Sequence, residues 1–258
     1  MNVTERQHHI DVAPGEVGRY VFLPGDPGRC EPIARLFDDP KLVAKNREYE
    51  TWSGYLDGEK VSVTSTGIGC PSAAIAMEEL VKVGADTFVR VGTSGAMQPD
   101  IEVGDLGVIQ GAIRDEGTSS HYLPIEFPAV ADLELTRALA IGARSTGKTV
   151  HIGISQSKDS FYGQHEPGRM PVAARLQERW TAWMAGGAIC SEMEAAALYI
   201  VAATLHVRAS GIMKIFGHWD QAPMTPEEEK QGSLDDLLAA AIAGMREMIA
   251  HDRAAAAA

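Results

Sequence analysis

Short apolar runs, each cut off by glycine or proline, recur along the first hundred residues. Residues 20–23 (Tyr-Val-Phe-Leu) form one such run, closed by Pro24 and Gly25, and predict a short buried strand. Val61-Ser-Val-Thr-Ser65 is a second β-rich run, followed by Thr66-Gly-Ile-Gly69. Thr87-Phe-Val-Arg-Val91 is a third, followed by Gly92-Thr-Ser-Gly95. Three strands that each end in a glycine loop predict an α/β sheet. The loops gather at the carboxyl ends of the strands, where such sheets bind ligands.

Helical spacing fills the intervals. Residues 32–37 predict a short helix. Residues 73–83 predict another, capped by Ser72, with Ile75, Leu80 and Val81 on the apolar side and Glu78 and Glu79 on the acidic side. The charged, aromatic stretch 45–52 leads to a hairpin turn at 54–58. Residues 101–110 read as a turn and a strand, and 114–122 as a polar loop. A helix follows over 131–146 and a strand over 150–155, which Gln156-Ser-Lys-Asp-Ser-Phe-Tyr162 leaves. The stretch 163–172, with Gly, two Pro and mixed charge, predicts a surface excursion, and 176–184 a helix carrying Trp180 and Trp183. Ser191 is placed to cap an Ala-rich helix over 192–205, and 208–216 is the last strand, with 217–223 as its exit loop. Ser233-Leu-Asp-Asp236 opens a closing helix to about His251. Residues 254–258 are a low-complexity Ala tail. No linker, composition step or repeat divides the chain, so residues 1–258 read as one α/β domain.

Composition narrows the function. The chain has 258 residues, 45% of them hydrophobic, enough for a substantial core. Its net charge of −12, without a basic stripe, argues against nucleic-acid or membrane-surface binding. No apolar run is long enough for a membrane span, and the polar residues 1–10 do not form a signal peptide. Cys30, Cys70 and Cys190 are odd in number and widely spaced. They predict reduced, buried thiols in a cytoplasmic protein rather than a disulfide or zinc framework.

An acidic protein that keeps a few arginines inside glycine loops suits a small anionic ligand. In Pro24-Gly-Asp-Pro-Gly-Arg29, Gly25 and Gly28 let backbone N–H groups turn toward a ligand, and Arg29 adds a cationic fork. Arg29, Arg90 and Thr93 can then face one anion. A plain turn with a surface arginine would read the same at any one loop; the recurrence favours the cradle. Neither a P-loop consensus nor GxGxxG occurs.

Taken together, Pro24-Gly-Asp-Pro-Gly-Arg29, Asn46-Arg-Glu-Tyr49, Ser65-Thr-Gly-Ile-Gly69, Arg90-Val-Gly-Thr93 and Glu192-Met-Glu194 stand in the order seen in nucleoside phosphorylases of the uridine and bacterial purine type. Residues 127–132 and 158–162 resemble the uridine branch. The resemblance implies a three-layer α/β/α fold around a mixed, partly barrel-like sheet. It implies a hexamer, a trimer of dimers with shared active sites. The implied reaction is phosphorolysis of a nucleoside by inorganic phosphate, without cofactor or catalytic metal. Gly25, Arg29, Arg90 and Thr93 match the phosphate residues, and Arg47 the arginine lent by a neighbouring subunit. Glu194 matches the ribose carboxylate, flanked by Glu192 and Met193. In a regular helix Glu192 and Glu194 would face different ways, so Glu194 is preferred. His9, or alternatively His8, resembles the histidine that holds the ribose 5′-hydroxyl across the dimer. Glu48, Ile68 and Ser72 match positions that hold a potassium ion between subunits.

The base pocket departs from the pattern. Phe161 is kept for stacking and Gln164 for an amide contact. The arginine expected two residues after Gln164 is Glu166, and the one expected after the last strand is replaced by His218-Trp219, beside Phe216. Lys158, His165, Arg169 and His218 are the candidate donors to the leaving base. Uridine, with deoxyuridine or thymidine to some degree, is the expected substrate. A purine or broad-specificity enzyme is the alternative, since Asp220 lies near the place of a purine-protonating acid. A hydrolase is disfavoured by the three arginines, and a non-catalytic binding protein by the joint phosphate and ribose sets.

Overall fold

The computed structural model describes residues 5–230 and 232–257. The first four residues of the polar start and Ala258 of the tail lie outside these. The strands are β1 (Tyr20–Pro24), β2 (Asp38–Asn46), β3 (Tyr49–Leu56), β4 (Glu59–Thr64), β5 (Thr87–Ala96), β6 (Leu106–Asp115), β7 (Ala129–Val130), β8 (Val150–Lys158), β9 (Cys190–Glu192) and β10 (Arg208–Gly217). The helices are α1 (Cys30–Ala34), α2 (Cys70–Lys82), α3 (Leu133–Ser145), α4 (Phe161–His165), α5 (Ala173–Ala185), α6 (Ala195–Leu205), α7 (Pro226–Lys230) and α8 (Asp235–Ala257).

The strands form one mixed sheet in the order β10-β6-β8-β9-β5-β1-β4-β3-β2, with β7 on β6. Because β10 also pairs with β5, the run β5-β10-β6-β8-β9 closes into a five-stranded barrel. Strand alternation sorts β1 between two cores. Val21 and Leu23 pack with α2 and α6, while Tyr20 and Phe22 pack with α1, α3 and α8. This is the expected three-layer α/β/α arrangement. The α3–α8 contact is close enough that a Cβ on Gly142 would lie 2.3 Å from the Gly244 nitrogen. Among the described residues no helix is long and apolar enough to cross a membrane.

The structure corrects several sequence expectations. Gly92-Thr-Ser-Gly95 is not a loop: β5 continues through it, because barrel closure pairs Thr93 with Lys214 and Gly95 with Ser191. By the same closure β6 and β8 run on to Asp115 and Lys158, which pair with each other. Ser191 and Glu192 belong to β9, so Ser191 does not cap α6. Residues 45–52 belong to the β2–β3 hairpin, and Gly54 to Leu56 pair with β4, leaving the turn at Asp57 and Gly58. Helix α1 ends at Ala34, and Phe37 beyond it stacks on Phe22. Helix α2 starts at Cys70, so Ser72 lies in its first turn, and its presumed acidic-face residue Glu79 is buried. Helix α5 begins at Ala173, and residues 163–172 hold the end of α4 and a turn at Pro167–Arg169. Helix α8 takes in the Ala tail up to Ala257, as alanine's helix propensity favours.

All three cysteines are free and buried. Burial pushes the Cys30 and Cys190 thiols up to about 12 and raises that of Cys70 as well. None is poised as a thiolate nucleophile.

Candidate active site

At the carboxyl ends of β1, β5 and β8 a cleft of about 740 Å³ opens. Its position follows from the turn after β1. Asp26 accepts the Gly28 N–H at 2.8 Å, tightening the loop so that Arg29 faces the cleft. There Arg29 Nη2 donates to Thr93 Oγ1 at 3.4 Å. Gly25 joins them in the wall. Burial lowers the Arg29 pKa from its usual value, an effect the nearby Arg90 charge reinforces and Asp26 opposes. A guanidinium remains protonated under such a shift, and a second cation that repels it readily accepts an anion between them.

Arg90 is fixed from below. Period two on β5 puts its side chain on the face that carries Phe88, the face covered by α6. Helix α6 starts there, directly after Glu194. Arg90 Nε donates to Glu192 Oε2 at 2.8 Å, and Arg90 Nη2 pairs with Glu194 Oε2. Among the described residues, no acceptor reaches the buried Arg90 Nη1. A buried charged donor left unpaired is costly, so this one is open to a ligand acceptor.

The two glutamates have different remaining capacity. Glu192 Oε2 also accepts the N–H groups of Glu194 and Ala195, at 2.7 and 2.9 Å, and its Oε1 accepts the Ser157 hydroxyl. It serves as the anchor of the α6 N-terminus and of Arg90. Among the described residues, Glu194 Oε1 accepts only the Gly69 N–H, at 2.6 Å. That bond depends on the left-handed φ of +95° at Gly69, which turns the amide inward. Burial raises the Glu194 carboxyl above its usual pKa, opposed by the Arg90 charge. The expectation that only one glutamate could face the site rested on a helix; β9 and the bend after it bring both to Arg90.

On the wall beyond Ser191, Phe161, His165, Lys158 and Phe216 line the cleft, as does Met193. Lys158 is 5% exposed and donates to Ser191 Oγ at 2.8 Å, not to Asp159. Burial brings its pKa down to about 8, although Glu192 and Glu194 pull the other way. Burial also lowers His165, leaving a neutral ring in tilted contact with Phe161 at 4.2 Å. Gln164 sits behind this wall, accepting from Ser191 Oγ at 2.7 Å and lining a second cavity of about 300 Å³.

Other sequence candidates are not brought to the cleft. Arg169 pairs with Glu166 at 2.6 Å and lies over the Tyr162 ring. His218 contacts Glu228 at 3.2 Å, and Asp220 accepts the Ala222 N–H at 3.0 Å on the exposed exit loop. His9 and Arg47 lie outside the cleft of their own chain. Arg47 is exposed, with φ +55° in the β2–β3 turn. Glu48 and Ile68 edge the cleft, whereas Ser72 Oγ donates to the carbonyls of Ile68 and Gly69, at 3.4 and 3.2 Å. Sequence reasoning missed Ser157, whose hydroxyl supports Glu192, and misplaced Ser191 as a cap. Neither carries a signal by itself; only closure of β9 between β5 and β8 brings Ser157 to Glu192 and Ser191 to Lys158.

Comparison with known proteins agrees with this architecture. Residues 19–250 match the family model described as the phosphorylase superfamily. The chain is 44% identical to a uridine phosphorylase of Treponema pallidum over 249 residues, 96% of each chain. It is 47% identical to a uridine phosphorylase of Thermococcus kodakarensis, over 88% of this chain and 83% of that one. It is also 41% identical to a guanosine phosphorylase of Halorubrum lacusprofundi, over 83% of this chain and 84% of the relative. With a family match spanning the barrel, the cleft and both helical layers, the chain belongs to the phosphorylase superfamily.

Proposed function

We propose that the chain is a uridine phosphorylase, a pentosyltransferase that converts uridine and inorganic phosphate to uracil and ribose 1-phosphate. The observation that carries the reading is Arg90, buried against two glutamates, with one Nη free of any protein acceptor beside Arg29 and Thr93. That is the arrangement a phosphate nucleophile needs. Arg29, Arg90, Thr93 and the Gly25 turn orient phosphate below C1′. Glu194 accepts the ribose hydroxyls and favours positive charge growing on the ring, with Met193 alongside. Glu192 acts through Arg90 rather than on the sugar. As a phosphate oxygen bonds to C1′, the C1′–N1 bond breaks and its electron pair leaves with the base. Phe161 stacks on the base with Phe216 nearby, and the Lys158 ammonium offsets the charge that the uracil anion carries.

His9 and Arg47 act in a neighbouring copy. Their position outside their own cleft supports a homo-oligomer with shared sites, and the resemblance favours a hexamer among such assemblies. Ile68, 80% exposed at the cleft edge, fits the same arrangement as a residue that a neighbour covers. A monovalent cation suits the oxygen donors of Glu48, Ile68 and Ser72, whose carboxylate, carbonyl and hydroxyl are hard ligands; its role would be to hold the subunit junction. A cytoplasmic setting fits the three free thiols.

The guanosine phosphorylase relative favours a second reading, a purine or broad-specificity enzyme. The exposed position of Asp220 counts against it. Initial rates on uridine, deoxyuridine, inosine and guanosine at fixed phosphate test the choice. Uridine should lead; a lead for either purine nucleoside would replace the uridine reading with the purine one.

A further inference from the structure

His9 is held on three sides. Its backbone N–H and that of Ile10 both donate to Glu79 Oε2, at 2.9 Å. Its carbonyl accepts from Asn46 Nδ2 at 2.8 Å. Its ring Nδ1 lies 2.7 Å from Glu79 Oε1. Glu79 comes from α2, where a glutamate on the outer face would need no partner; here its side chain is only 9% exposed. Burial works to raise its pKa, but the bonds from Ile10 and His9 outweigh that and the net shift is downward. An ionised carboxylate only accepts hydrogen bonds. The hydrogen between the two groups is therefore carried by Nδ1, and Nε2 is the ring nitrogen left without a contact to Glu79.

We infer that Glu79 is a positioning residue that fixes His9 as the Nδ1–H tautomer and presents Nε2 as a hydrogen-bond acceptor for a sugar hydroxyl. The inference rests on the reading of His9 as a ribose residue in a neighbouring copy's site. Asn46 extends the same device. It holds the His9 carbonyl and directly precedes Arg47 in the tight β2–β3 turn. The histidine and the lent arginine thus sit on one hydrogen-bonded unit, anchored to α2. A 5′-hydroxyl can donate to Nε2; a nucleoside without that hydroxyl cannot.

Two measurements test this. The first is kcat/KM for uridine and for 5′-deoxyuridine in the parent, His9→Ala and Glu79→Ala enzymes. The parent should prefer uridine by about tenfold or more, the worth of one hydrogen bond. His9→Ala should bring the ratio near one. Glu79→Ala should also bring the ratio down toward one, with its loss falling mainly on KM for uridine. Equal losses on both substrates would make Glu79 a structural support only and overturn the inference. A parental ratio in His9→Ala would instead remove His9 from ribose recognition, and so defeat the underlying reading.

The second measurement does not depend on turnover. ¹⁵N NMR of histidine-labelled protein should show the His9 proton on Nδ1. In Glu79→Gln, which keeps the shape, the amide N–H₂ can face the ring while the carbonyl receives the backbone N–H groups, and the proton should move to Nε2. An Nε2–H tautomer in the parent, or an unchanged one in Glu79→Gln, would overturn the assignment.

Discussion

Arg90 concentrates the account at the scale of single residues. Its planar fork contacts Glu192 and Glu194 at once and, among the described residues, leaves Nη1 without an acceptor. A lysine cannot reproduce that fork. Arg90→Lys should therefore fold but lose about 10²-fold or more in kcat/KM, mostly in kcat, because phosphate alignment is lost. Arg90→Ala should be worse, and less stable by about 3 kcal/mol, since two buried carboxylates lose their counter-charge. Thermal unfolding alongside phosphorolysis rates checks both. Lys158 supplies a pH test. With its pKa near 8, the ammonium is present below that pH and is lost as pH rises through it. Uridine kcat/KM should fall above about pH 8, and Lys158→Gln should be slower and lack that limb. The same depressed value means that burying the ammonium costs stability, a cost that fades as pH climbs from about 8 toward the ordinary lysine value of ~10.4.

At the scale of elements, the helices and strands differ in how far the sequence announces them. β1 is legible because an apolar run stops at Pro24 and Gly25, and α3 because of its helical apolar spacing, to which the structure adds an Asp132 cap, 2.8 Å from the Leu135 N–H. The continuation of β5 through Gly92-Thr-Ser-Gly95 is not legible. Those residues lack apolar alternation, and their partners come from strands far away in sequence. The same is true of β9, three residues long, which converts a presumed helix start into the segment that aims Glu192 at Arg90. The motifs pick out Arg29, Arg90, Thr93 and Glu194, which the structure gathers at one cleft, but the contacts of Glu192 and Ser191 there depend on barrel closure. Helix packing yields its own prediction. Gly142 and Gly244 let α3 and α8 meet backbone to backbone, so Gly142→Ala forces the helices apart and should cost about 2 kcal/mol or more, read as a lower denaturant midpoint.

On the scale of the whole molecule, Asp252 ties the last helix to the sheet. Arg208 of β10 grips it with two bonds of 2.6 and 2.7 Å, and the Tyr20 hydroxyl of β1 adds a third at 2.8 Å. The Arg208 bonds hold its carboxyl far below the usual aspartate range, against the opposing effect of burial. Stability from this clamp is present above the ordinary aspartate value of ~3.9 and is lost as pH falls toward the depressed one. Asp252→Ala should lower stability by about 2 kcal/mol at neutral pH and flatten the acid limb. Assembly is the larger whole-molecule question. On the proposed reading, in which a neighbouring copy lends His9 and Arg47, the site needs a second copy, so sedimentation should find no active monomer, and an active monomer would refute sharing.

The central claim is that phosphate, oriented by Arg29, Arg90 and Thr93, attacks the sugar. The most direct test is uridine consumption with and without inorganic phosphate, with ribose 1-phosphate assayed as product. Without phosphate no cleavage is expected, and with it one ribose 1-phosphate should form per uracil released. Cleavage to free ribose in the absence of phosphate would contradict it.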